Sequence, residues 1–86
     1  MDINQLISIV KNKIENNILV EDIEIEDKSF LHKGHKGNQP GKFHLKIRLK
    51  SNDLKKLSKI QSTKKVYSIL DYELKNYIHS IQILIT

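Results

Sequence analysis

The sequence predicts a small two-layer α+β sandwich, with a three-stranded sheet that carries helices on one face. Three observations lead to this fold class. The 86 residues can enclose one small core, apolar residues recur with both helical and strand periods, and the clearest strand alternates apolar with basic side chains. One apolar and one solvated face are typical of a sheet covered on one side only. We therefore expect a single domain over residues 1–86.

The N-terminal segment predicts a helix. After Asp2, a candidate N-cap, apolar residues recur at helical spacing as Ile3, Leu6, Ile7, Val10 and Ile14. We expect this helix to end near Asn16-Asn17. Asp2 stands where a signal peptide would carry Lys or Arg, and no apolar run approaches the roughly 20 residues of a membrane span. The expectation is a cytoplasmic protein without membrane contact.

The next two elements are strands that flank a loop. In LVEDIEIED, two isoleucines alternate with Glu24 and Glu26, which predicts a first strand. A loop follows from about Asp27 to Gly41, and it is longer than an ordinary hairpin connection. In KFHLKIRLK, apolar side chains point one way, and Lys42, His44, Lys46, Arg48 and Lys50 point the other. The sequence therefore predicts that His44 lies on a solvated sheet face.

The C-terminal third predicts two helices and a strand. A short helix is capped by Ser51, Asn52 or Asp53 and carries Leu54, Leu57 and Ile60. A long helix begins at a cap of Ser62 or Thr63, and its apolar residues are Val66, Ile69, Leu70, Leu74 and Ile78. The last strand places on its inner face Ile81, Ile83 and Ile85. The predicted order is α-β-β-α-α-β.

Catalytic chemistry finds no support in the residue pattern. The chain has no cysteine, which removes thiolate nucleophiles and thiolate metal ligands. Ser29 is near His32 in sequence, but no acidic residue is placed to orient that imidazole. Glu24 and Glu26 are a carboxylate pair, for which cross-strand pairing with basic residues is the preferred interpretation. We expect a protein that is not an enzyme.

Charge is distributed unevenly along the chain. Residues up to Gly41 carry five Lys and seven acids, whereas the remainder carries nine Lys and one Arg against three acids. Such a basic half is typical either of a Lys-rich soluble surface or of a surface that meets nucleic acid. The candidates for phosphate contacts are Lys46, Arg48, Lys55, Lys56, Lys59, Lys64 and Lys65.

Histidines are concentrated in the loop. His32 and His35 stand three residues apart among the glycines, and both could turn toward one metal ion. Two imidazoles do not complete a site, because zinc normally takes four ligands. His79 lies at the junction of the last helix and the last strand, where it could cap helix carbonyls or act as a ligand beside the loop. Solvated loop histidines are the alternative interpretation.

Three motifs resemble those of the BolA-like proteins, from about Leu19 onward. The loop DKSFLHKGHKG is similar to D-x-S-x-x-H-x-G-H-x-G, and GKFHLKIRLKS is similar to S-H-F-x-V-x-V-V-S. The segment VYSILDYELKNYIHSIQI is similar to the closing V-Y-x-x-L-x-E-E-L-x-x-x-V-H-A-L-x-I. The resemblance implies a class II KH-like fold, which has the element order predicted above.

The same resemblance implies a function in iron–sulfur cluster metabolism. Family members of this type pair with monothiol glutaredoxins and share a [2Fe–2S] cluster, to which the glutaredoxin and glutathione supply thiolates. The histidine of the closing motif, here His79, would be one ligand, and His35 would be the other, with His32 as runner-up. The isolated chain would hold no cluster and would be a monomer or weak homodimer. A subset of the family implies the alternative, a DNA-binding regulator of stress response and cell morphology.

Overall fold

The fold is a mixed three-stranded sheet combined with short helices. We describe a computed structural model of the chain over residues 2–29 and 43–86. Within these ranges the elements are α1 (Ile3–Asn17), β1 (Asp22–Asp27), β2 (Phe43–Lys50), α2 (Asn52–Lys55), α3 (Lys59–Ile69), α4 (Asp71–Asn76) and β3 (Ile78–Ile85). The architecture confirms the predicted α+β class.

The first helix forms as the sequence predicts. The Asp2 carboxylate accepts a hydrogen bond from the backbone N–H of Gln5 at 2.8 Å, and the Gln5 side chain accepts one from the N–H of Asp2 at 3.1 Å. This reciprocal capping box satisfies two of the donors that a helix start leaves unpaired. The face that α1 turns to the core is fully buried and consists of Leu6, Val10 and Ile14.

The central strand of the sheet is β2. It pairs with β1 in antiparallel and with β3 in parallel orientation. Alternate β2 residues, Leu45, Ile47 and Leu49, are buried in the core, whereas Arg48 is exposed and contacts Glu24 of β1 at 3.3 Å. This alternation shows that one face of the sheet packs on the helices while the other carries charged residues.

The second long helix differs from its prediction at its start. Helix α3 begins at Lys59, and Ser58 caps it by accepting a hydrogen bond from the N–H of Gln61 at 3.1 Å. The predicted caps at Ser62 and Thr63 are wrong, because the Ser62 hydroxyl is inside the helix and donates to the carbonyl of Lys59 at 3.0 Å. Ser51, by contrast, is confirmed as the cap of α2.

The short helix is shorter than the spacing of its apolar residues predicts. Helix α2 ends at Lys55, so only Leu54 of its three predicted apolar residues is buried. Leu57 follows in the turn and is 37% exposed, and Ile60 lies in the first turn of α3 and is 69% exposed. The three-residue spacing of Leu54, Leu57 and Ile60 therefore continues across the end of α2 into α3. Leu57 and Ile60 are left as apolar residues exposed to solvent.

The long helix also ends earlier than predicted. Leu70 has φ −99° and ψ 16°, outside the α region, and separates α3 from α4. Ile78, predicted to close the helix, is the first residue of β3 and pairs with Phe43. The N–H of Phe43 donates to the carbonyl of Tyr77 at 2.9 Å. This pairing draws the chain out of the helix and into the sheet.

No helix in the described ranges combines the length and the hydropathy that crossing a bilayer requires.

Candidate functional site at the start of the last strand

His79 is the extra residue of a β-bulge. Phe43 pairs with Ile78, and the next residue of β2, His44, pairs with Ser80. One step along β2 therefore corresponds to two steps along β3, and His79 has no partner opposite it. Bulges re-aim a side chain out of the regular alternation and occur often beside functional sites. The bulge leaves His79 exposed at this end of the sheet.

His44 is buried, which corrects the sequence prediction of a solvated side chain. The residue is 3% exposed. Its Nδ1 lies 2.6 Å from the hydroxyl oxygen of Ser80, and its ring centroid lies 5.0 Å from that of His79 at an interplanar angle of 57°. The outer face of a sheet is solvated only where nothing lies over it. The alternation of a strand predicts on which face of the sheet a side chain lies, but it does not predict whether that face is exposed to solvent.

The two chain segments that flank residues 30–42 meet at this site. The N–H of His44 donates to the hydroxyl of Ser29 at 3.1 Å, and the N–H of Lys28 donates to the carbonyl of His44 at 2.7 Å. Asp27 ends β1, and its carboxylate accepts a hydrogen bond from the N–H of Ser29 at 2.9 Å. The first strand thus ends at Asp27, where the sequence predicts the start of the loop, and the hydroxyl of Ser29 links this end to β2.

The ligand prediction falls partly outside the described residues. His32 and His35 lie within residues 30–42, which the structure does not describe. Within the described residues, no cluster of three or more His, Cys, Asp or Glu side chains could hold a metal ion. The described part of the chain therefore offers His79 as an accessible imidazole at this site, with His44 packed beside it. Any cluster held here needs further ligands from residues 30–42 or from a partner.

The carboxylates of β1 have structural partners. Glu24 pairs with Arg48 across the strands, as the sequence predicts. Glu26 lies opposite Lys46 in the register but forms its ion pair with Lys28 at 2.9 Å. The hydrogen bond from Lys28, followed by its charge, lowers the pKa of Glu26 below the ordinary value of 4.5. Lys28 therefore stabilises the ionised form of Glu26.

The predicted phosphate-binding residues divide between the two layers of the molecule. Lys46 and Arg48 lie on the outer face of the sheet, beside Glu24 and Glu26. The other five are exposed in the α2–α3 region: Lys55, Lys56, Lys59, Lys64 and Lys65. The five lysines thus belong to the helical layer, whereas Lys46 and Arg48 lie on the outer face of the sheet.

Sequence reasoning missed the contributions of His44 and Ser80. Both residues depend on the pairing of β2 with β3, whose partners Phe43 and Ile78 are 35 residues apart in the sequence. The one signal in the sequence that pointed to His44 was its position as a second histidine near the start of a strand. Its proximity to His79 follows only from the parallel pairing and the bulge.

Comparisons with known proteins agree with this architecture. The chain matches the family model described as BolA-like protein over residues 14–86. It is 30% identical over 73 residues to the DNA-binding transcriptional regulator BolA of Haemophilus influenzae, in an alignment covering 85% of this chain and 68% of that protein. It is 27% identical over 79 residues to SufE-like protein 1, chloroplastic/mitochondrial, of Arabidopsis thaliana, covering 86% of this chain and 21% of that protein.

Solved structures share the fold. The BolA domain of SufE1 from Arabidopsis thaliana is similar with a TM-score of 0.78 and 26% identity, over 92% of this chain and 87% of that domain. BolA1 from the same plant is similar with a TM-score of 0.78 and 24% identity, over the same shares. A three-stranded mixed sheet with this helix order defines a BolA-type α+β domain. The chain belongs to the BolA-like protein family.

Proposed function

We propose that this chain is an accessory partner of a monothiol glutaredoxin and that His79 supplies an imidazole ligand to a [2Fe–2S] cluster shared by the two proteins. The observation that carries the proposal is the exposed, bulged position of His79 at the start of β3. A ligand shared with a partner must be accessible at the surface, and it must be held in place by rigid neighbours. The sheet pairing on both sides of the bulge provides that support.

The position of the loop ends supports a second ligand from the same chain. Ser29 and Phe43 border residues 30–42. The Ser29 hydroxyl accepts a hydrogen bond from the N–H of His44, and the N–H of Phe43 donates to the carbonyl of Tyr77, two residues before His79. His35 is six residues from Ser29, so the covalent chain confines it to roughly 20 Å of that residue. His35 is therefore the proposed loop ligand, and His32 is the alternative.

The metal ligands that this chain can supply also fit a cluster site shared with a partner. The chain has no cysteine, whereas iron–sulfur clusters are held mainly by thiolates, with imidazoles replacing some of them in mixed sites. The thiolates would come from glutaredoxin and glutathione. A bound cluster supplies one-electron chemistry or a transferable iron–sulfur unit, and imidazole ligation raises its reduction potential relative to thiolates alone. We propose no catalytic role for the chain itself.

The experiment is a titration of a cluster-loaded monothiol glutaredoxin with this protein, followed by visible absorption and circular dichroism. Histidine ligation changes the spectrum because the ligand field at one iron changes. We expect the change to be lost in His79→Ala and weakened in His35→Ala. Gln82→Ala is the matched control, since it truncates another exposed side chain of β3.

Two results would contradict the proposal. The first is an unchanged spectrum with the native chain at saturating concentration. The second is an equal response from His79→Ala and Gln82→Ala. Weakening in His32→Ala instead of His35→Ala would keep the shared site and reassign its loop ligand.

DNA binding is the second candidate function. It is favoured by the name of the Haemophilus influenzae relative, a DNA-binding transcriptional regulator, and by the exposed lysines of the α2–α3 region. The same lysines could attract phosphate through charge alone. The test, a salt titration of duplex binding, is given in the Discussion.

A further inference from the structure

Within residues 2–29 and 43–86, no further strand pairs with the outer edge of β3. The strand lies at the edge of the sheet, in the order β1-β2-β3. Its eight residues, Ile78–Ile85, include no Lys, Arg, Asp, Glu or Pro. Edge strands usually carry charges, prolines or a covering segment, because their unpaired backbone groups otherwise accept another strand. An edge strand of this length without these devices is suited to pairing with a further segment.

The register shows which backbone groups face outward. The N–H of Thr86 donates to the carbonyl of Leu49, whose register partner is Ile85. In a parallel ladder, the residues that bond to the neighbouring strand alternate with residues whose N–H and C=O point away. The donors and acceptors of Ile83 and Ile85 therefore point away from β2. An added strand would hydrogen-bond to these two residues.

A groove runs along this edge. It has a volume of about 370 Å³, and its walls include Ile83, Leu84 and Ile85 together with Leu54 and Leu57. Successive strand side chains point to opposite faces, so three consecutive residues line one groove only where it follows the strand edge. Leu57 and Leu84 are 37% and 36% exposed. The groove thus offers apolar walls beside backbone groups with which no described strand pairs.

The charged residues that line the groove are both lysines. The remaining lining residues are Lys55, Lys59, Ser62 and Thr63. Among the described residues, neither lysine forms an ion pair with a carboxylate. No aromatic or arginine side chain is among the described residues that line the groove, and single-stranded nucleic acid binders rely on such groups to stack bases. Apolar walls with lysines at the rim favour a peptide with acidic residues.

We propose that this groove binds an extended protein segment that adds to the sheet beside β3, with alternating apolar side chains and flanking Asp or Glu residues. The main chain of the segment would pair with Ile83 and Ile85, its apolar side chains would contact Leu57, and its acids would meet Lys55 and Lys59. Main-chain pairing gives such complexes affinity, and the side-chain pockets give them specificity. The partner is a protein with an accessible acidic-apolar strand.

The groove is separate from the proposed cluster site. His79 and Ile85 are six residues apart on one strand, which corresponds to roughly 20 Å. The two surfaces therefore occupy opposite ends of β3, and a segment in the groove would leave His79 accessible. The inference does not depend on the cluster proposal, and its test requires no glutaredoxin and no metal.

The experiment uses the full chain and the fluorescein-labelled peptide EEVTVTVEE. We expect saturable binding by fluorescence anisotropy and slowed amide hydrogen exchange at Ile83 and Ile85 in the NMR spectrum. Replacing the central valine by proline removes a backbone donor and should abolish binding. The double variant Lys55→Glu/Lys59→Glu should bind at least about tenfold more weakly, since both rim contacts become repulsive.

The matched control is Lys64→Glu/Lys65→Glu, which has the same charge change on exposed residues outside the groove lining. We expect its affinity to stay within about threefold, because neither residue lines the groove and the remaining long-range charge effect is screened by salt. No peptide binding, equal binding of the proline peptide, or equal losses in both double variants would overturn the proposal. Protection of the same amides by oligothymidine, or by raising the protein concentration alone, would also overturn it, in favour of nucleic acid or a second copy.

Discussion

At the scale of single residues, the pair His44 and His79 shows how one strand gives two histidines different environments. His44 lies on a sheet face that otherwise carries charged side chains, yet it is 3% exposed and contacts the Ser80 hydroxyl at 2.6 Å. His79 is exposed because the bulge removes it from the ladder. We interpret His44 as the packed support and His79 as the accessible group.

We predict that His44→Ala destabilises the fold by about 2–4 kcal/mol, because it opens a cavity and leaves the Ser80 hydroxyl without its partner. Chemical denaturation of the purified variant measures this loss. Arg48→Ala on the same strand is the control and should cost less than about 1 kcal/mol, since its pair with Glu24 is exposed. Equal losses in both variants would mean that His44 is not packed as the structure shows.

Glu26 gives a prediction that depends on pH. Its pKa is lowered in the folded chain, first by the hydrogen bond from Lys28 and then by the charge of Lys28. A lowered folded-state pKa contributes stability above the unfolded value near 4.5, and this contribution disappears as the pH falls through the lower folded value. In Lys28→Gln, we expect the pKa of Glu26 to rise toward 4.5 and the acid-dependent loss of stability to diminish.

An NMR titration of the Glu26 carboxyl, with unfolding curves at neutral and acidic pH, tests this prediction. Lys55→Gln removes the same charge from an exposed site and should leave the titration of Glu26 unchanged. A Glu26 titration curve that is the same in Lys28→Gln as in the native chain would refute the assignment of the cause.

At the scale of secondary structure, one ion pair joins the first helix to the last. Glu73 of α4 is 3% exposed, and both of its carboxylate oxygens accept hydrogen bonds from the Lys13 ammonium of α1, at 2.9 and 2.7 Å. A buried carboxylate is tolerated only when its oxygens are satisfied. This contact fixes α4, and therefore the point where the chain enters β3, one residue before His79.

We predict that Lys13→Met destabilises the protein by about 1–3 kcal/mol, because it leaves the buried Glu73 carboxylate without its cation. The double variant Lys13→Met/Glu73→Leu should recover most of this loss, since no charge then remains buried. Thermal unfolding of the two variants measures the difference. Lys11→Met, at an exposed position of the same helix, is the control and should change stability by less than about 0.5 kcal/mol.

At the scale of the whole molecule, the separation of charge decides how DNA could bind. The five lysines of the α2–α3 region lie on the helical layer, and Arg48 lies on the outer face of the sheet. A duplex that meets the helical layer therefore does not contact Arg48. A basic half of the sequence becomes two separate surfaces once the chain has folded.

We predict that any duplex binding by this chain is carried by the helical lysines. The logarithm of the binding constant should fall with the logarithm of salt concentration with a slope of about −4, which corresponds to four or five neutralised phosphates. Lys64→Glu/Lys65→Glu should weaken binding strongly, whereas Arg48→Gln should leave it unchanged. Equal effects of the two variants, or a binding constant independent of salt, would exclude the helical lysines as the DNA-binding surface.

Much of the fold was predictable because local patterns determine it. The capping residue Asp2, the helical repeat through Ile14 and the alternation in β2 all reflect the fixed periods of helices and strands. The boundaries near Ile60, Leu70 and Ile78 were predicted wrongly, because an apolar period continues across a helix end when the next element uses the same spacing. Helix caps and sheet pairing, rather than apolar spacing, set these boundaries.

The sequence by itself determined the α+β fold class and the order of the first helix and the three strands, because these depend on residue type and on spacing along the chain. Only the tertiary structure decided that His44 is buried, that His79 is the bulged residue and that a groove lies beside Ile85. Each of these depends on which strand lies next to which and in what register. Contacts between residues far apart in the chain leave no periodic trace in either segment.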